Sequence, residues 1–262
     1  ALVGFSRGQV ERALTELGQP VWGPERPLTL LWVAIDDGAG GRAVLGAGEA
    51  SDCGTPVSPL MKQQLDAVRL ELVTAADERG LPIAWPLLDL QDLGAVTCTD
   101  IWGGFEDAIV AASARYRADA VLIGRVRPGT FGNEVEWLFV QGGARQNLPV
   151  AGVRDAIDAA ADRYAADLAT VGGASLTLLT VSNVLTPSDY GRVVSYLERQ
   201  SVLQSVDVES LDNGQLRLRV AARGDARVLE RQLALGGVLR PATAASSGGS
   251  LVFEVVPDGS AP

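Results

Sequence analysis

One run constrains this chain more than any other stretch. From Leu28 to Ile35 every residue but Thr29 is apolar, and the run stops at Asp36-Asp37-Gly38. A strand with one wet face alternates apolar and polar residues; a strand covered on both faces does not have to. The run is also far shorter than the roughly 20 residues that a membrane-spanning helix needs. It is read as a strand buried on both faces.

The flanking sequence supports a layered α/β sheet. Gln9 to Leu17 has the pattern of a short helix stopped by Gly18. Ser58-Pro59 opens a second helix, with Ser58 as cap and proline in the first turn. Met61, Leu65, Val68 and Leu72 give it one apolar face, and Gly80 closes it. Ile83 to Leu90 reads as the next strand. Thr99 or Asp100 then caps a helix whose Phe105, Ile109, Ala112 and Tyr116 share one side. Ala120 to Val126 is a third strand, Glu134 to Val140 pairs with it as a hairpin, and Val153 to Leu168 is a long helix. Strands separated by full helices imply parallel neighbours, with the hairpin as an antiparallel edge.

Composition shifts at Gly172-Gly173. Residues 1–172 carry 23 acidic and 14 basic side chains, the rest 9 and 8, and all five tryptophans lie in the first part. Two domains are expected, 1–172 and 173–262. In the second, Leu176 to Val184 is a strand, and Thr186 and Asp189 stand at capping-box spacing ahead of a helix. Asn213-Gly214 joins two strands, and Leu216, Leu218 and Val220 face opposite to Arg217 and Arg219. Asp225 to Leu235 is a helix, and Val238 to Pro241 and Leu251 to Val256 close the sheet. The order βαββαβ, with an extra hairpin arm, is the split βαβ, ferredoxin-like plan.

The chemistry on offer is sparse. The chain has no histidine, which removes imidazole-based catalysis, imidazole-ligated metals and histidine pH switches. Its net charge of −10 argues against nucleic acid as a partner. Gly38 to Gly48 lacks the spacing and the Gly-Lys-Ser/Thr ending of a phosphate loop, so it reads as a hairpin or edge loop. No cofactor motif is present. Cys53 and Cys98 have no histidine to activate them, and either a disulfide or two buried thiols fits the spacing. A serine nucleophile would have to use Lys62, the sole lysine.

Carboxylates are the remaining catalytic candidates. Asp36 and Asp37, and Asp89 and Asp92, stand where parallel strands should end, the side on which α/β sheets bind ligands. They could act as an acid–base pair on a glycan or hold a divalent cation. The plainer alternative is that they cap helices and close turns. Trp22 and Trp102, beside glycines, are candidates for partial exposure, whereas Trp32, Trp85 and Trp137 read as core. Arg217, Arg219 and Arg223, with Arg227 and Arg231 nearby, form either a solvated face or a docking face for an acidic partner.

Several motifs together resemble the proteobacterial family called Domain of Unknown Function 2066. They are Val21-Trp22-Gly23-Pro24, Leu31-Trp32-Val33-Ala34, Trp85-Pro86-Leu87-Leu88-Asp89-Leu90, the run Ala118 to Arg125, and Asp189-Tyr190 with Tyr196-Leu197. The Ala118 to Gly124 segment is also similar to envelope proteins with a TolB-amino-terminal-like α/β domain. The resemblance implies an exported protein of the periplasm with no assigned activity, an envelope partner such as an inner-membrane permease, and chain ahead of Ala1. It also favours a Cys53–Cys98 disulfide. The expectation is a non-enzymatic binding or assembly module of the cell envelope; the alternative is a carboxylate-based hydrolase of a cell-wall glycan.

Overall fold

The double-sided apolar run becomes strand β1, Thr29–Asp36, and residues Leu30 to Ala34 are all but inaccessible to solvent. The structure is a computed structural model that describes residues 4, 6–17, 19, 22, 26–130, 132–168, 174–200, 202–242 and 250–257. It divides into two units, Arg26–Arg163 and Tyr164–Pro262, with residues 1–25 belonging to the second. The expected boundary at Gly172-Gly173 lies outside the described residues, and the division falls earlier, within a helix. Among the described residues the chain is mixed α/β, with two mixed sheets and eight α-helices, of which α1 is Arg7–Glu16.

In the first unit β1 pairs in parallel with β5 (Ala120–Gly129) along seven residue positions. Its other side is shared. Val33 to Asp36 pair antiparallel with β2 (Arg42–Leu45), and Thr29 and Leu30 pair in parallel with β4 (Ile83–Ala84). The two-residue β3 (Ser51–Asp52) lies beyond β2; β6 (Gly132–Gln141) and β7 (Ala144–Leu148) extend the sheet past β5. The expected hairpin at the glycine-rich stretch is therefore present, and the β5–β6 hairpin forms as read.

Helices cover both faces of β1. Leu30, Trp32 and Ala34 belong to one core with Val121, Ile123, Leu138 and Val140, closed by Ile101 of α4 (Cys98–Gly103) and Ile109 of α5 (Glu106–Ser113). Helix α2, Pro59–Arg79, also packs on β1 and β2, and its caps are the expected Ser58 and left-handed Gly80. Arg79 pairs with Asp158 and Asp162, and Arg154 with Glu78, so α2 is tied to α6 (Val153–Leu168).

Two expectations fail here. The strand Ile83 to Leu90 shrinks to Ile83–Ala84. Pro86 has no N–H, Leu88 takes a positive φ of 53°, and the N–H groups of Leu87 and Leu88 donate to Tyr116 and Asp92 rather than to a strand. The single helix over 100–116 is three pieces: α4, α5 and a 3-10 turn, Ala114–Tyr116. Gly104, left-handed at φ 74°, ends α4. The α4 cap is Thr97, with Asp100 as its reciprocal partner rather than the cap. Phe105 is exposed as a result, not packed on the buried side.

The second unit follows its pattern more closely. β8 (Ala174–Ser182), α7 (Pro187–Glu198), β9 (Leu203–Asp212), β10 (Gln215–Arg223), α8 (Ala226–Leu235), β11 (Leu239–Pro241) and β12 (Ser250–Val255) come in the expected sequence. The sheet order is β11-β12-β8-β10-β9. β10 lies antiparallel between β8 and β9, and β12 runs parallel to β8. Thr186 and Asp189 form the full capping box, and Asp225 caps α8. Val193 and Leu197 of α7 and Leu229 and Leu233 of α8 pack on Leu216, Leu218 and Val220, so both helices cover the same face of the sheet.

Candidate functional site

The four carboxylates occupy two separate settings. Asp36 and Asp37 close the turn from β1 into β2. Asp36 accepts from the Gly38 N–H and from Arg42 Nε, each at 2.8 Å. Asp37 Oδ1 accepts from the N–H groups of Ala39 and Gly41 at 2.8 Å. Burial alone would raise the Asp36 carboxyl, but the Arg42 guanidinium and the Gly38 N–H hold it below its usual value. Arg42 also stacks 4.7 Å from the centre of the Trp102 ring. This is turn-closing aspartate chemistry, the plainer of the two sequence readings.

Asp89 and Asp92 meet on one guanidinium. Asp89 caps α3, Leu90–Ala95, accepting from the Gln91 and Asp92 N–H groups. Arg115 grips Asp89 with two parallel bonds of 2.8 Å and reaches Asp92 at 3.0 Å. The Asp92 side chain has no solvent exposure. Its second oxygen accepts from the Leu88 N–H at 2.9 Å and from the Tyr116 hydroxyl. The Arg115 bonds drive the Asp89 carboxyl far below its ordinary range and raise the guanidinium in turn. Burial, and then the bond to Asp92, push the Tyr116 phenol up to about 12.

The cluster has a clear mechanical result. Tyr116 also accepts from the Leu87 N–H at 2.8 Å, so the 3-10 turn after α5 clamps the loop in its unusual conformation at Leu88. The Leu88 side chain then lies where a Cβ on Gly46 would have to be, and the Ala47 N–H donates to Pro86 O at 2.7 Å. Sequence reading missed Arg115 and counted Tyr116 as an apolar helix residue. Their adjacency after a helix pattern carries no signal by itself, because their partners lie 23 to 29 positions upstream.

The cysteines are bonded: Cys53 follows β3, and Cys98 opens α4, with Cα atoms 5.6 Å apart. The bridge staples the short edge hairpin to the helix that covers it. Cys53 and Cys98 also border a small cavity of about 110 Å³ floored by Trp32, Val44 and Ile101. A larger open cavity of about 490 Å³ lies between α2 and the 48–57 loop, where Lys62, Asp66 and Arg69 face Glu49 and Asp52. Arg69 is already committed there, donating to Gly46 O at 2.6 Å and stacking 5.0 Å from the Trp85 ring centre. Trp85 therefore stands in a loop rather than a strand, whereas Trp32 and Trp137 are core as expected. Among the described residues, no three acidic or cysteine side chains are grouped to hold a metal ion.

The arginine face is real but smaller than the sequence suggests. Arg217 and Arg219 project from the sheet face opposite α7 and α8, and Arg223 is half-buried at the end of β10. Arg219 pairs with Glu209 on β9. Arg227 and Arg231 sit on α8, which covers the other face, so the five do not form one cluster. No helix among the described residues is long and apolar enough to cross a membrane.

One pH dependence follows. The carboxyls of Asp36, Asp89, Asp100 and Asp189 are all held below their usual values by cap and arginine bonds. Groups depressed on folding stabilise fully above the unfolded carboxylate range near pH ~4 and lose that contribution as pH falls through the folded values. With no histidine, melting temperature should vary little between pH 8 and pH 5 and should drop below about pH 4. A melting temperature that stays level down to pH 3, followed by calorimetry, would contradict this.

No protein-family model, no curated protein and no solved structure matches the chain.

Proposed function

We propose that this chain is a non-enzymatic binding or assembly module that works in the periplasm of the bacterial cell envelope. The supporting observation is the bonding of the four candidate acids. Every one of them holds a turn, a helix cap or the Arg115 guanidinium, and none faces another across open space as an acid–base pair would. The hydrolase alternative loses its catalytic groups on that count. The Cys53–Cys98 bond fits a compartment where disulfides persist. On this reading the first unit is a TolB-amino-terminal-like domain. The second is a ferredoxin-like variant in which the final hairpin inserts β12 between β11 and β8. The resemblance to Domain of Unknown Function 2066 makes an envelope protein, with an inner-membrane permease first in line, the partner to seek.

The test places photo-crosslinking residues across the surface of the protein in envelopes of its source organism. Discrete adducts to one envelope protein, clustered on one surface, are expected. No adduct from any position, or release of reducing ends from peptidoglycan by the purified protein that Asp92→Asn abolishes, would overturn the reading.

A further inference from the structure

Among the described residues of the second unit, helices cover one face of its sheet only. Its outer face carries Leu176 and Leu178 of β8, which are 72% and 47% exposed. The register places Ala221 beside Leu176, and Ser250 and Arg219 beside Leu178. Two large exposed leucines on the middle strand of a five-stranded sheet are a surface that water does not favour.

The charges around that strand have an order. β11 carries Arg240, β12 carries Glu254, β8 carries none, β10 carries Arg217, Arg219 and Arg223, and β9 carries Asp207, Glu209 and Asp212. Across the sheet the signs therefore run plus, minus, neutral, plus, minus. Reversing the order of the strands reverses every sign. A face that carries both signs in equal measure does not suit a uniformly acidic partner, but it does suit itself.

We propose that this face joins two copies of the chain about a two-fold axis running along β8. That axis lays β8 on β8, β12 on β10 and β11 on β9, so each charged column meets its opposite. The levels also agree. Arg240 pairs with Glu254, Glu254 with Ser182, and Gln215 with Asp212, while Ser182 and Gln215 lie one position beyond the Val181–Leu216 pair. Arg240 thus stands level with Asp212 of the second copy. Glu254 stands two residues, about 7 Å along a strand, from Arg217 of the second copy, within an arginine's reach. A two-fold axis perpendicular to the strands would instead set like charges against each other, so the charge order selects one packing. Aligned sheet stacking of this kind is a standard way to bury two such faces. The inference goes beyond the envelope-module reading and does not depend on it.

The test is sedimentation equilibrium of the purified, oxidised chain from micromolar to near-millimolar concentration. The average mass should rise toward that of a dimer. Leu178→Asp, at an exposed site, should leave the circular dichroism and melting temperature unchanged and remove the rise. Asp212→Arg should weaken association roughly tenfold by facing Arg240 with a like charge, and adding Arg240→Glu in the same chain should restore it. A monomer throughout the range, a dimer indifferent to Leu178→Asp, or a failure of the charge swap to restore association would each overturn the proposal. Because no envelope partner is present, failure here is separable from failure of the crosslinking experiment.

Discussion

Replacing both cysteines, Cys53→Ser with Cys98→Ser, should destabilise the protein by about 4 kcal/mol at most and by no less than about 2 kcal/mol. The bridge spans 45 positions, and closing a loop of that length removes much of the freedom of the unfolded chain. The native side of the balance points the same way. β3 is only two residues long and is paired to β2 alone, so few ladder bonds hold Cys53 in place once the bridge is gone. Urea unfolding of the oxidised, reduced and doubly substituted proteins measures the effect. Thiol titration of the denatured chain should find no free thiol before reduction and two after it. Equal midpoints for the three forms would show that the staple is energetically idle.

The second large effect belongs to Asp92. Asp92→Ala should cost about 2 to 4 kcal/mol, because it leaves the Leu88 N–H and the Tyr116 hydroxyl without their shared acceptor in a half-buried place. Arg115 keeps its grip on Asp89, which is why the expected cost is below that of a fully orphaned buried charge. Asp92→Asn should recover part of the loss, since one amide oxygen can still accept from both donors while its N–H₂ group faces Arg115 unfavourably. The same experiment separates a structural carboxylate from a catalytic one. A structural Asp92 predicts lowered urea midpoints for both variants, Asp92→Ala more than Asp92→Asn. Full stability in both variants would mean that the bonds of Asp92 do not hold the loop at Leu88.

The two Asp pairs show how far sequence reading carries. Asp-Asp-Gly after an apolar strand is a local turn signal, and its turn chemistry is complete within seven residues, from Asp36 to Arg42. Asp89 capping α3 is equally local. Asp92 looks identical on paper, yet its partners Arg115 and Tyr116 arrive from beyond α5. Nothing within a helical turn of Asp92 announces them. The shortened β4 fails for the same reason. The apolar stretch has the pattern of a strand, but its Leu87 N–H is claimed by Tyr116, 29 positions away, and its Leu88 N–H by Asp92, which Arg115 and Tyr116 hold in place.

Features that depend on near neighbours are legible in the chain's local pattern. The two-sided burial of β1, the caps at Ser58, Gly80 and Thr186, the hairpin at Asn213-Gly214 and the alternation along β10 all follow from periodicity and from backbone groups at helix ends. The burial of Asp92, the meeting of the cysteines and the alternation of charge across the second sheet about a neutral strand arise only in the folded chain. Those outcomes depend on strand order and on contacts between distant segments. A strand's neighbours are chosen by chain crossovers, and local pattern does not record them.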